Sequence, residues 1–120
     1  MRIAISSQGK DLSSKVDRRF GRTSYFLIFD TDDESFEVVN NDQNVNAAQG
    51  AGVQAAENIV RKNVDIVVAG NFGPKAFQVL EAAGIKAALW ANGTVSEAIK
   101  LARNNKLELC DKANVEGHWM

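Results

Sequence analysis

At 120 residues, with 45% hydrophobic and 24% charged side chains and a formal net charge of −1, the chain is the size of one domain. It is long enough to bury about two-thirds of its unfolded surface without a disulfide or metal staple. This balance excludes a disordered chain and argues against a general nucleic-acid binder, which is basic overall.

The chain opens with "RIAIS" (2–6), a short β-rich run whose apolar start is too brief for a signal peptide. "QGKDLSSKVDRRFGR" (8–22) is polar, contains two glycines and reads as a long loop. "SYFLIFD" (24–30) is apolar on both faces, as a strand covered by helices on both sides must be. "TDDES" (31–35) is a turn, and "FEVVN" (36–40) is an edge strand with Glu37 and Val39 on one face and Phe36 and Val38 on the other. After a second polar loop (41–50), Val53, Ala56, Ile59 and Val60 recur at helical spacing within residues 51–63. "VDIVVAG" (64–70) is a continuous apolar strand. "GPKAFQVLEAAG" (73–84) carries Pro74 in its first turn and Gly84 just past its end, as a helix does. "IKAALW" (85–90) is a strand whose Lys86 points to a partly exposed edge. "TVSEAIKLARNN" (94–105) opens on a Thr94–Glu97 capping box, with Val95, Ala98, Ile99 and Ala102 as its apolar stripe. Residues 106–120 read as an extension holding a short strand and a tail, outside a single α/β domain at 1–105.

The order β-β-β-α-β-α-β-α predicts a three-layer α/β fold. Its mixed five-stranded sheet has helices on both faces and strand order 3-2-1-4-5, the ribonuclease-H-like layout. An open doubly wound sheet is the alternative. In the favoured layout the loops 7–22, 41–50, 70–74 and 91–94 emerge at one edge, where all three helices begin with unpaired N–H groups and a partial positive charge. Gly21, Gly50, Gly52, Gly70, Gly73 and Gly93, with Asn44, Asn46, Asn71 and Asn92, supply close backbone approach and amide donors. Arg18, Arg19 and Arg22 join them, while Asp30, Asp32, Asp33 and Glu34 lie on the hairpin at the opposite end. The predicted site for an anionic ligand is therefore Arg18, Arg19, Phe20, Gly21, Arg22, Asn44, Gly50, Gly70, Asn71, Phe72 and Gly73. The competing reading makes the arginines solvated surface charge and Phe20 a loop anchor.

Other signals carry less. "GAGVQA" (50–55) matches a loose GxGxxA dinucleotide pattern, but it follows a long loop and no acid stands at the end of the next strand, where Gly70-Asn71 is found. The lone Cys110 and lone His118 exclude an intrachain disulfide and a zinc framework, and do not make a stable metal site by themselves. The first strand lacks the carboxylates a two-metal hydrolase needs, and no nucleophile–base pair is visible, so no catalytic residues and no enzyme activity are expected. With no apolar run near the roughly 20 residues of a membrane span, the expected location is cytoplasmic.

"RRFGRTSYFLIFD", "NAAQGAGVQAAENIV", "VDIVVAGNFGPKAFQVLEAAGIK" and "NGTVSEAI" together resemble the dinitrogenase iron–molybdenum cofactor biosynthesis domain, or nitrogenase accessory factor family, over residues 1–105. The resemblance implies a ribonuclease-H-like fold and, in some relatives, binding or carriage of an iron–molybdenum cofactor or its iron–sulfur precursor. Members implicated in cofactor binding tend to carry histidine before Phe-Gly. Here that position is Arg19, and Thr23 and Ser24 stand where a thiol is sometimes found. A guanidinium cannot ligate iron but can hold an anionic cluster by charge-assisted hydrogen bonds. The expected function is a small non-catalytic carrier of an anionic metallocluster, with a partner protein and no nucleic acid or membrane involved. The alternative is an interaction module or a phosphate- or nucleotide-sensing domain with no metallocluster.

Overall fold

A computed structural model describes residues 1–42 and 50–113. The elements run β1 (Arg2–Ser7), β2 (Tyr25–Asp30), β3 (Phe36–Asn40), α1 (Ala51–Val60), β4 (Ile66–Ala69), α2 (Pro74–Ala82), β5 (Lys86–Leu89), α3 (Val95–Arg103) and β6 (Glu108–Cys110). They build one six-stranded mixed sheet of order β3-β2-β1-β4-β5-β6. β1 pairs antiparallel with β2 and parallel with β4, and β4 pairs parallel with β5. The expected five-strand order is present, and β6 is added antiparallel to β5, with Ala87 opposite Cys110. The segment read as an extension thus contributes a strand to the sheet. It covers the edge that Lys86 marks, while Glu108 and Leu109 stay exposed.

Alternation along each strand divides the core in two. Ala4, Phe26, Ile28, Val67, Ala69 and Ala87 face α1 and α2. Ile3, Ile5, Leu27, Phe29, Val68 and Ala88 face α3. Both parallel crossovers therefore lie on one face, and α1 packs against α2 there. α3 alone covers the other face with Val95, Ala98, Ile99 and Ala102, the stripe expected from sequence. α1 is rotated from expectation. Ala51, Gly52, Ala55, Ala56 and Ile59 are its buried residues, while Val53 and Val60 are half-buried. Small side chains face inward because this helix lies close to both α2 and the 18–22 loop, and the larger valines stay at the margin.

Helix ends follow local chemistry. At α2, Gly84 N–H donates to Glu81 O at 3.0 Å and Ile85 N–H to Leu80 O at 3.0 Å, a Schellman closure with Gly84 at φ 76°. At α3, Glu97 N–H donates to Thr94 Oγ1 at 3.2 Å and Thr94 N–H to Glu97 Oε1 at 3.1 Å, the reciprocal box expected from sequence. No helix among the described residues is long and apolar enough to cross a membrane.

Candidate functional site

The decisive question is whether the 18–22 loop meets the turn after β4. It does so as a short strand-like pairing. Arg19 and Asn71 form a parallel bridge. Gly70 N–H and Asn71 N–H both donate to Arg18 O, at 2.9 and 2.8 Å, and Phe20 N–H donates to Asn71 O at 3.4 Å. The Phe20 ring lies 5.2 Å from both Phe26 and Phe72, all three fully buried. Phe20 and Phe72, both in the predicted ligand set, are turned inward and offer no ring face to a ligand. They anchor the two loops to the core, and burying each ring contributes on the order of 2 kcal/mol.

Two glycines permit the close approach. A Cβ on Gly21 would sit 2.8 Å from both Gly52 Cα and Gly52 N, so the loop lies directly on the start of α1. A Cβ on Gly70 would sit 2.8 Å from Arg18 Cγ and 3.2 Å from Ala91 Cβ, so the Arg18 stem passes over the end of β4 toward the 91–93 turn. Beneath the loops lies a buried polar layer that sequence reasoning missed. Asn41 Nδ2 donates to Gly21 O and Thr23 O, at 3.1 and 2.9 Å, and Thr23 Oγ1 donates to Ser7 O at 2.9 Å. Ser6 Oγ lies 2.7 Å from Asp17 O and 3.1 Å from Val68 O. These side chains donate to loop and strand carbonyls and tie the loop between β1 and β2 to the sheet. Only a polar residue flanking an apolar strand hinted at each of them.

The charges are less simple than a bare arginine cluster. Arg19 N–H donates to Asp17 Oδ1 at 2.9 Å, and Arg19 Nε lies 4.0 Å from the same oxygen. Asp17, passed over in the sequence reading, therefore holds one guanidinium at the rim. Arg18 is exposed and Arg22 half-buried. At the opposite end of the sheet, Asp30 pairs with Arg2 at 3.9 Å, Asp32 with the terminal amine at 3.6 Å and Glu34 with Arg103 at 3.3 Å. The acidic hairpin is thus partly neutralised by cations on β1 and α3, which weakens the polarity expected from sequence.

The helix starts also divide. α3 was expected to present open N–H groups at the rim. Instead Val95 N–H donates to Ser14 O at 2.9 Å and Ser96 N–H to Leu12 O at 2.8 Å, while Thr94 takes Glu97 N–H. The 8–16 loop folds over that helix and occupies its donors. α1 begins at Gly50 and α2 at Gly73, and neither start has a side-chain cap. These two lie on the face shared with Phe20 and Phe72. Asn44 and Asn46 of the predicted loop, like His118, lie outside the described residues.

The described residues of the rim supply no set of metal ligands. No group of three or more His, Cys, Asp or Glu suited to a metal ion occurs among the described residues. Cys110 sits opposite Ala87 on β6, in a cleft with Phe77 and Ile85 instead of at the rim. Burial raises its thiol pKa, opposed by a hydrogen bond to the Lys112 carbonyl and reinforced by Asp111 and Glu108. What the rim offers is guanidinium groups, amides and two helix N-termini. That donor set suits an anion bringing its own inner ligands, and does not suit bare iron.

Comparison with known proteins places the chain. Residues 1–105 match the family described as "Dinitrogenase iron-molybdenum cofactor". An uncharacterized protein of Methanocaldococcus jannaschii is 30% identical over 111 residues, covering 90% of both chains. The apo form of the orange protein from Desulfovibrio gigas superposes with a TM-score of 0.91 at 33% identity, covering 95% of this chain and 96% of that one. A NifB-like protein of Thermotoga solved by NMR gives 0.83 at 42% identity, covering 97% and 98%. The fold, the matched span and the loop sequences agree, and the chain belongs to the dinitrogenase iron–molybdenum cofactor family.

Proposed function

We propose that this protein is a small, non-catalytic cytoplasmic carrier that holds an anionic metallocluster as cargo on the α1/α2 side of the loop rim. The observation that carries the reading is the Arg19–Asn71 bridge, which sets the arginine loop against the turn leading into α2. Arg19 and Arg22 supply charge, and the Asn71 amide and the α1 and α2 starts at Gly50 and Gly73 supply donors. Family membership supports a metallocluster as the class of cargo. Since no thiolate or imidazole is found at the rim among the described residues, the cluster's own sulfides or a partner protein would complete the coordination of its metals. A first strand without carboxylates and a sequence with a single histidine, His118, support the non-catalytic part of the proposal.

The test is anaerobic reconstitution with iron, sulfide and molybdate, followed by gel filtration and visible absorption. A chromophore eluting with the protein, and reduced in Arg19→Glu/Arg22→Glu, is the expected result. Colourless protein from both the wild type and Arg19→His would sink the proposal.

A further inference from the structure

The rim has a second side that the carrier reading leaves unused. Between the 8–18 loop and the 91–93 turn, on the face of α3, lies an open cleft of about 400 Å³ lined by Gln8, Lys15, Arg18, Asn92 and Gly93 among others. We propose that this cleft is a separate binding site for a small dianion bearing carboxylate or phosphate groups.

Charge is the first argument. No carboxylate among the described residues lines the cleft. Among the described residues neither Lys15 nor Arg18 takes part in an ion pair. The acids around it have partners of their own: Glu97, whose carboxylate lies behind Gly93, accepts from the Thr94 N–H, and Asp17 accepts from the Arg19 N–H. Pre-organisation is the second. Lys15 bridges to Thr94 and Ser7 to Val16, Gln8 N–H donates to Lys15 O at 3.0 Å, and Val16 N–H donates to Gly93 O at 2.9 Å. Arg18 is fixed at its carbonyl by Gly70 and Asn71, and its stem lies over Gly70. A ligand would therefore meet walls already ordered, which removes part of the entropic cost of binding. Arg18 offers a planar fork matched to carboxylate or phosphate, Lys15 a point charge, and Gln8 and Asn92 amide donors. One charge in so open a cleft is worth little, so two cations favour a dianion over chloride.

Titration of ¹⁵N-labelled protein with inorganic phosphate, and separately with succinate, in about 0.1 M chloride decides the matter. The expected result is saturable shifts of the amides of Gln8, Lys15, Arg18, Asn92 and Gly93 with at least one probe, and the probe that saturates identifies the group recognised. Lys15→Glu should weaken binding about tenfold or more while Lys15→Arg retains it, a difference of about 1.4 kcal/mol. Failure of both probes to saturate, shifts centred on Gly50 and Gly73 instead, or unchanged binding by Lys15→Glu would overturn the site. The inference does not rest on the carrier reading. Lys15→Glu protein that loses the dianion yet still takes up the chromophore supports two sites, and loss of both together overturns their separation.

Discussion

Arg18 and Arg19 are neighbours in sequence with different surroundings. Arg18 is held at its carbonyl by the turn after β4 and sends its stem toward Ala91, whereas Arg19 is held by Asp17. A run of three arginines in a loop was legible as positive charge, but not as charge shared between two sides of a rim. Direction depends on which backbone groups the loop meets, and Asn71 lies 52 positions after Arg19. Cys110 makes the same point for chemistry. As a lone thiol it was readable only as unpaired, and its strand context decides its reactivity. With burial as the main cause, its pKa stands above the ordinary thiol value, so the thiolate fraction at pH 8 is below that of a free cysteine. Alkylation by iodoacetamide at pH 8 should accordingly be slower in the folded protein than in urea, and equal rates would contradict the raised pKa. The same shift means the folded state keeps the proton longer. Its contribution to stability is full below the unfolded thiol's pKa and declines as pH rises through the folded one.

At the scale of elements, α3 shows what a local pattern can establish. Thr94, Glu97 and the stripe Val95, Ala98, Ile99 and Ala102 fixed its start and its buried face, because capping and helical periodicity act within a few residues. Removing the cap should be felt accordingly. Thr94→Ala is expected to destabilise the protein by about 1 kcal/mol in urea denaturation with an unchanged m value, and a loss below a few tenths would show the box to be energetically idle. The periodic stripe of α1 was right only in part. Ala56 and Ile59 face inward as expected, but Val53 and Val60 are half-buried, and Gly52 and Ala55 take inward places instead. Periodicity identifies a helix and ranks its faces by hydrophobicity. It does not register that a neighbouring loop requires small side chains, as Gly21 does where it rests on Gly52.

For the whole molecule, net charge near zero conceals an uneven distribution. Lys15, Arg18, Arg19 and Arg22 sit at the loop rim, while three hairpin acids at the far end, Asp30, Asp32 and Glu34, are paired with Arg2, the terminal amine and Arg103. Exposed cations therefore gather at the rim, with Asp17 against Arg19 there. If cargo is held there by charge, raising KCl from about 0.05 to about 0.5 M should lower chromophore retention, since exposed charges are screened over a few ångströms at the higher salt. Retention indifferent to salt would point to direct metal ligation in its place.

Local signals in the sequence were enough for the class of the fold, the order of five strands and three helices, the capped start of α3 and the meeting of the 7–22 loop with the 70–74 and 91–94 turns. Hydrophobic period, turn residues and the right-handedness of βαβ units are local or nearly local constraints. Assembly of the sheet settled the rest: that Phe20 is the loop anchor of the competing reading and Phe72 joins it in the core, that Asn41 and Thr23 tie down the loop from beneath, that the 8–16 loop uses the donors of α3, and that Lys15 joins Arg18 in a cleft. Each of these is a contact between residues far apart in the chain. Its energy comes from burial and from satisfying particular backbone groups, and neither quantity is defined until the sheet has assembled.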